Sequence, residues 1–529
     1  MLDLLIKNAR IVDGSGAPAF SGDIAIQNGA ITEIGTVSQT AAETIDAGGQ
    51  VAAPGFIDVH GHSDMFGLLD PERASKLCQG ITTEICGQCG LGPAPVPADE
   101  ALYKQYDGYL SSLGAPVYPQ SVDFTSFGAY LDIIETMPLG INTAYFIPHG
   151  MVRLAVMGLS PEKPTPAALD RMKALVQDGM ESGALGLSSG LMYAPGIFSD
   201  EEELTALCQV VGQYGGIYSS HLRDQGKGVE GCVVETIRIA KNAGTRVNIA
   251  HNKASGRDNW GKVTATIKLI NDADIPAAHD VYPYTASSST LLSTLPPFLQ
   301  SKAPADIIAY LSDKQNCETL KDAIFNPAPG FESLLYDCGY EGLMIFQAPV
   351  TTDAIGKSIA QYADEQKLDP FEAYLKILID NQLSAGYIGF AMSEADVQAL
   401  MADKLCMFGT DALYVQGMPM THPRAIGTFP RILGRYVRQS GLLSLEEAIR
   451  KMTSLPAEFY GLQRKGLLRP GQDADIVIFD PDRITDNADY QNPLQPNEGI
   501  YRVIIDGKVA VADDKSLGKQ YGKILRVRN

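Results

Sequence analysis

The feature that most constrains this chain is a succession of short apolar runs, most of them followed by an amphipathic stretch. The runs at 53–60, 81–87, 141–147, 184–188, 215–220, 246–251, 276–282 and 405–410 have the length and character of buried strands. The intervening "TPAALDRMKALVQDGMESG" and "VEGCVVETIRIAKNAG" carry apolar residues at helical spacing and close on glycine. Strands alternating with helices build parallel sheets, and eight such units are the number that closes a barrel. The expected fold is therefore α/β, a TIM (β/α)8 barrel over residues 53–460. The interval between the seventh and eighth runs is too long for a loop. It is expected to hold an insertion at about 286–345, then helices such as "DPFEAYLKILIDNQ".

The two ends of the chain have a different texture. "DLLIKNARIVDG" and "GDIAIQNGAITEIG" alternate apolar and polar residues and are punctuated by Asp-Gly and Asn-Gly, a hairpin signal. The same pattern returns in "DADIVIFD" and "YRVIIDGKVAVAD". Residues 1–52 and 461–529 are accordingly expected to meet in one small β-sandwich.

Over 529 residues, 45% are hydrophobic and 20% charged, enough to bury a large core. The formal net charge of −20 argues against a nucleic-acid partner, which needs a basic face. No run approaches the ~18 apolar residues of a membrane span, and Asp3 and Lys7 interrupt the start, which does not read as a signal peptide. Eight cysteines are too sparse for a disulfide framework. These traits suit a soluble, reduced, cytoplasmic protein acting on a small molecule; they leave its oligomeric state open.

Polar residues gather where the predicted strands end. In "FIDVHGHSD" the alternation of a strand puts His60 and His62 on one face. Cys89 follows the second run, His221 ends the fifth, His251 the sixth and Asp411 the eighth. In a barrel those ends form one mouth, so four of the seven histidines, a cysteine and an aspartate converge there. Taken singly, a strand-end histidine is more often a hydrogen-bonding residue than a ligand. "CGQC" could be a redox pair, but Gly-Leu-Gly-Pro follows it where a thioredoxin-like site would open a helix. Cys86 reads as packing, and Cys78, Cys208, Cys232, Cys317, Cys338 and Cys406 as core. As a set, imidazole and thiolate are good zinc ligands, and zinc lowers the pKa of a coordinated water to about 7. Asp411 can take that water's proton and pass it to a leaving amine, so hydrolysis of a C–N bond is the natural chemistry.

Ten stretches carry a resemblance that runs nearly end to end: "PGFIDVHGHSD", "GITTEICGQCG", "GALGLSSGLMYAPG", "SSHLRDQG", "NIAHNK", "NWGK", "DVYPYTASSST", "GTDA", "THPRAIGTFPRILGRYVR" and "GQDADIVIFDP". The chain resembles the amidohydrolase superfamily and, within it, the N-acyl-D-amino acid deacylases, or D-aminoacylases. The resemblance implies a barrel of the metal-dependent hydrolase type and zinc-dependent hydrolysis of N-acyl-D-amino acids. It implies that Cys89, His221 and His251 hold a tight Zn2+, that His60 and His62 line a second, weaker position, and that Cys89 can bridge. Many relatives bridge their metals with a carboxylated lysine; a thiolate in that role is typical of the D-aminoacylases. Asp411 would be general base and acid. Lys253, Arg424 and Tyr284 match positions that bind the substrate carboxylate, with Tyr193 assisting. The pattern departs from the family at "HNK", where "HLK" is usual, and at "GTDA", where "GSDG" is. The stretch "ALYVQGMPMTHPR" is longer and more apolar than the family's, with His422 its only histidine. Leu413, Tyr414, Val415, Met418 and Met420 there suggest a pocket for an apolar group. A dipeptidase, a cyclic-amide hydrolase of the same superfamily and a non-catalytic scaffold are the competing readings.

Overall fold

A computed structural model describes residues 1–118 and 122–527. The alternating ends of the chain pair in one nine-stranded sheet. Its first five strands are Leu2–Ile11, Phe20–Gln27, Ala30–Gly35, Ala41–Asp46 and Val51–Pro54. The other four, Ile476–Phe479, Ile500–Ile505, Lys508–Ala512 and Lys515–Ser516, come from the far end of the chain. The join is antiparallel, with Ala52 opposite Ile478. Alternate side chains from both ends, among them Ile6, Ile24, Ile26, Ile476 and Ile504, share one buried cluster.

Between the ends lie two parallel sheets. Phe56–Asp58, Ile81–Cys86 and Asn142–Tyr145 form the first. The second runs Ile147–Pro148, Gly186–Gly190, Ile217–His221, Arg246–Ile249, Ala277–Val281 and Cys406–Phe408, in that order. Backbone bonds cross both seams between the sheets: Leu185 N–H, just before Gly186–Gly190, donates to Tyr145 O (2.8 Å), and Val59 N–H to Phe408 O (3.3 Å). The run 53–60 is divided at Gly55, because Val51–Pro54 belongs to the terminal sheet. A Cβ at Gly55 would collide with the Thr82 side chain, so only glycine fits where the chain passes from one sheet to the other.

The long interval after the seventh strand carries its own antiparallel sheet, Ser287–Thr290, Gly386–Gly389 and Leu343–Gln347, with Gly386–Gly389 in the middle. Helices Ile359–Gln366 and Pro370–Asp380 share its core through Tyr362, Tyr374 and Leu378. The unit therefore runs on to Gly389, past the expected limit near 345, because its central strand is the last one made. The C-terminal segment returns to the starts of the central strands: Thr143 N–H donates to Lys523 O (3.0 Å), and Val527 N–H to Gly183 O (3.0 Å). Among the described residues no helix is long and apolar enough to cross a membrane. All eight cysteines are free; Cys78, Cys317 and Cys338 are half-buried, not core, and the rest are buried.

Candidate metal centre

Each residue of the site is delivered by the C-terminal end of a central strand. His60 and His62 follow Phe56–Asp58, with ring centroids 5.4 Å apart. Cys89 sits in the tight turn that ends Ile81–Cys86 and adopts φ 56°, ψ 24°. Gly87 makes that turn possible: its φ is +73°, and a Cβ there would collide with Phe146 O. The Gln88 side chain pins the turn, donating to Val59 O (2.8 Å) and accepting from Ser219 Oγ (3.0 Å). His221 ends its strand in register with Gly190. His251 (φ 32°) and Asp411 (φ 48°) follow theirs in left-handed conformations, held by His251 N–H to Asp280 Oδ1 (2.9 Å) and Asp411 N–H to His60 O (2.7 Å).

These side chains converge. Cys89 Sγ lies 3.3 Å from His60 Nε2 and 3.3 Å from His251 Nε2. Asp411 Oδ1 lies 3.2 Å from His62 Nε2 and 3.5 Å from His60 Nε2. Two groups could each hold a metal ion, with donor atoms all within 4.8 Å of one another: His60, His62, Cys89 and Asp411; and Cys89, His221 and His251. They share Cys89. Both ring nitrogens of His221 and Nδ1 of His62 are buried without an aligned hydrogen-bond partner. Buried imidazole nitrogens left so are costly, and a metal would satisfy the converging ones. Burial opposes ionisation of Cys89, but the facing His60 and His251 imidazoles hold its thiol well below the ordinary range. Burial, followed by Lys253 and His221, pushes His251 down to about 3, which keeps it neutral, the form that binds metal.

Sequence reasoning passed over Asp280. Its Oδ1 lies 3.1 Å from His60 Nδ1 and its Oδ2 accepts from Asn248 Nδ2 (2.7 Å), so one carboxylate orients an imidazole and ties two strands. A histidine–aspartate pair inside a short buried strand was the available signal. Gln225 and Glu332 also line the cleft unforeseen.

Lys253 and Arg424 are buried in the cleft, not solvated at the surface. Lys253 Nζ donates to Gln225 Oε1 (2.8 Å) and lies 2.8 Å from His251 Nδ1; burial pushes its ammonium down to about 8, against the pull of Asp411. Arg424 opens helix Arg424–Arg431, its guanidinium 4.6 Å over the Tyr282 ring and its Nη1 2.9 Å from Asp411 Oδ2. Tyr193 meets His221 edge-on, centroids 5.0 Å apart. Tyr284 is a correction. It does not line the cleft; Tyr282, two residues earlier, does. A turn at Pro283, closed by Tyr284 N–H to Tyr282 O (2.9 Å), breaks the alternation that would have kept the two rings on one face. Tyr284 lies instead beneath the Arg431 guanidinium. His422 stands apart from the donor cluster, its Nε2 3.0 Å from Ala286 O. Of the apolar loop, Leu413 and Met418 line the cleft, while Met420 packs with Met344 and Ile388.

Known proteins share the pattern of this chain and its fold. The pattern of the Amidohydrolase family matches residues 43–309 and 348–511. The N-acyl-D-glutamate deacylase of Alcaligenes xylosoxydans xylosoxydans is 33% identical over 99% of this chain and 96% of its own length. The D-aminoacylase of the same organism is 31% identical over 99% and 97%. The crystal structure of N-acyl-D-glutamate deacylase from Bordetella bronchiseptica, complexed with zinc and a phosphonate mimic of the tetrahedral intermediate, superposes with TM-score 0.81. It is 32% identical and covers 99% of both chains.

Proposed function

This chain belongs to the amidohydrolase family, and on that premise we propose that it hydrolyses the amide bond of N-acyl-D-amino acids, releasing a carboxylic acid and a free D-amino acid. The observation that carries this reading is one cleft in which a His/Cys/Asp donor cluster faces two buried cations. The donor set suits zinc, with a thiolate and neutral imidazoles. Cys89, His221 and His251 would hold the tight ion; His60 and His62 would line a second position that shares Cys89. When bound, zinc supplies Lewis-acid polarisation of the amide carbonyl and makes water easier to deprotonate.

The chain's own groups do the rest. Asp411 takes the proton of the attacking water and hands it to the leaving amine; the buried Arg424 guanidinium beside it favours its charged form, although burial opposes this. Asp280 keeps His60 aimed at the cluster. Arg424 Nη1 is held by Asp411, but Nε makes no aligned hydrogen bond, so the guanidinium can still receive a substrate carboxylate, with Lys253 as its neighbour. Tyr193 borders the substrate on the opposite flank. Amide, carboxylate and side-chain pocket then fix the α-carbon at three points, and one enantiomer is preferred. Leu413 and Met418 favour an uncharged side chain.

We also read the two parallel sheets as a closed (β/α)8 barrel over 53–460, supported by the backbone bonds at both seams. The terminal sheet, 1–52 with 461–529, is read as a sandwich, supported by the cluster buried between its strands. Eight free cysteines fit the reducing cytoplasm.

The test is a panel of N-acetyl-D- and N-acetyl-L-amino acids, with a hydantoin as the cyclic alternative, on zinc-loaded protein. D-methionine and D-leucine derivatives should be hydrolysed at least ~100-fold faster than their L forms, the loss that a misplaced reacting centre brings. Hydantoin opening without deacylation would overturn the reading.

A further inference from the structure

Beside the metal cleft lies a second, larger cavity of about 440 Å³. The two share Ser112, Leu113, Tyr193 and Thr290 as a common wall. Apolar side chains, including Tyr109, Leu159, Leu292 and Ile307, line the second cavity. Among the described residues its only charged lining groups, Lys104 and Lys302, are exposed and stand at its rim.

Resting on the deacylase reading, we propose that this cavity receives the acyl chain of the substrate, and that the preferred substrates carry a medium-length aliphatic acyl group in place of acetyl. In an N-acyl-amino acid the carboxylate and the acyl tail leave the amide in opposite directions. Lys253, Tyr282 and Arg424 stand after Arg246–Ile249, Ala277–Val281 and Cys406–Phe408, towards one edge of the six-stranded sheet. One side of the cavity, with Tyr109, Leu159 and Tyr193, is built by segments that follow Ile81–Cys86, Ile147–Pro148 and Gly186–Gly190, towards the other edge; the insertion after Ala277–Val281 covers the remaining side with Leu292 and Ile307. With the carboxylate on the cations and the carbonyl at the donor cluster, the tail points past Tyr193 into the cavity. The amino acid side chain branches from the α-carbon, on the carboxylate side, and does not compete for this space. An acetyl methyl would leave the cavity unused, whereas its volume is that of a site for a ligand of many heavy atoms.

The experiment compares kcat/KM for N-acetyl-, N-hexanoyl- and N-octanoyl-D-methionine on the zinc-loaded enzyme. Each methylene that becomes fully buried is worth up to about fourfold, so octanoyl should exceed acetyl by at least ~10-fold. Two variants fill the cavity away from the metal cleft. Gly108→Phe lies in helix Glu100–Ser112, where a Cβ meets only Pro304, at 3.5 Å. Ala303→Trp starts from an exposed position. Either should cut the octanoyl advantage below about threefold and leave the acetyl rate within about twofold, since only the ~0.8 kcal/mol per methylene of the tail is at stake. An octanoyl rate no higher than acetyl in the parent enzyme, or an advantage that survives both variants, overturns the proposal. If no acyl substrate of any length is hydrolysed, it is the deacylase reading that fails. Calorimetric binding of octanoate, present in the parent and absent in Gly108→Phe, then still decides the cavity.

Discussion

Cys89, His251 and Asp411 all have positive φ, at 56°, 32° and 48°, and none of them is glycine. Left-handed backbone costs an ordinary residue about 1–2 kcal/mol, and the surroundings must hold it in place. Here the hold is visible: Asp280 grips the His251 amide, the His60 carbonyl takes that of Asp411, and Gln88 spans two strands beneath Cys89. The three residues are thus aimed inward by bonds that do not involve a metal. Two substitutions should separate holding metal from moving protons. Cys89→Ala removes the sulfur common to both donor groups and should release zinc and abolish turnover. Asp411→Asn keeps a residue that tolerates left-handed backbone; it should retain zinc while kcat falls by about 10²–10⁴. Metal analysis beside steady-state kinetics checks both. Full zinc in Cys89→Ala would remove the thiolate from the ligand set.

The turn after Ile81–Cys86 is the element on which the site depends most. Gly87→Ala would drive a Cβ into Phe146 O at a φ of +73°, and should lower unfolding free energy by about 2–4 kcal/mol. Denaturant midpoints would measure it, and zinc content should fall as Cys89 is displaced. Wild-type stability in that variant would mean the turn can be remade without glycine. This turn also shows what sequence could reveal about elements. Eight apolar runs were legible because buried parallel strands are apolar on both faces. The residues ending them were legible because polarity at an apolar strand end stands out. The break at Gly55 was not, since both halves are apolar and only their partners differ. The Tyr282 and Tyr284 pair alternates correctly until the turn at Pro283 re-aims the second ring. Asp280 stood out as a charge within a strand, but nothing local announces which imidazole a carboxylate will meet, and its partner His60 lies 220 positions away. The insertion was under-measured because Gly386–Gly389 pairs with strands 96 or more positions earlier and about 40 earlier, a match no local pattern carries.

At the scale of the whole molecule, the metal end and the opposite end of the central strands have separate duties. The C-terminal segment bonds to Thr143 and Gly183 at the strand starts, and Leu525 and Val527 pack against the adjoining cluster. Deleting residues 520–529 should therefore cost about 2–4 kcal/mol in stability, through lost hydrogen bonds and half-buried apolar surface. It should leave kcat on an N-acetyl-D-amino acid within about twofold, as measured on folded protein below its melting transition. A large loss of activity there would tie the tail to the site. The sheet shared by the two ends also sets an order of assembly. Val51–Pro54 and its partner Ile476–Phe479 are separated by roughly 420 residues, about 20–80 s of ribosomal synthesis. For that interval the early strands have one edge without its native neighbour, an apolar template on which another nascent chain could pair. Such a polypeptide cannot finish folding as it emerges, and a cell making it in quantity must shield that edge until the last strands arrive.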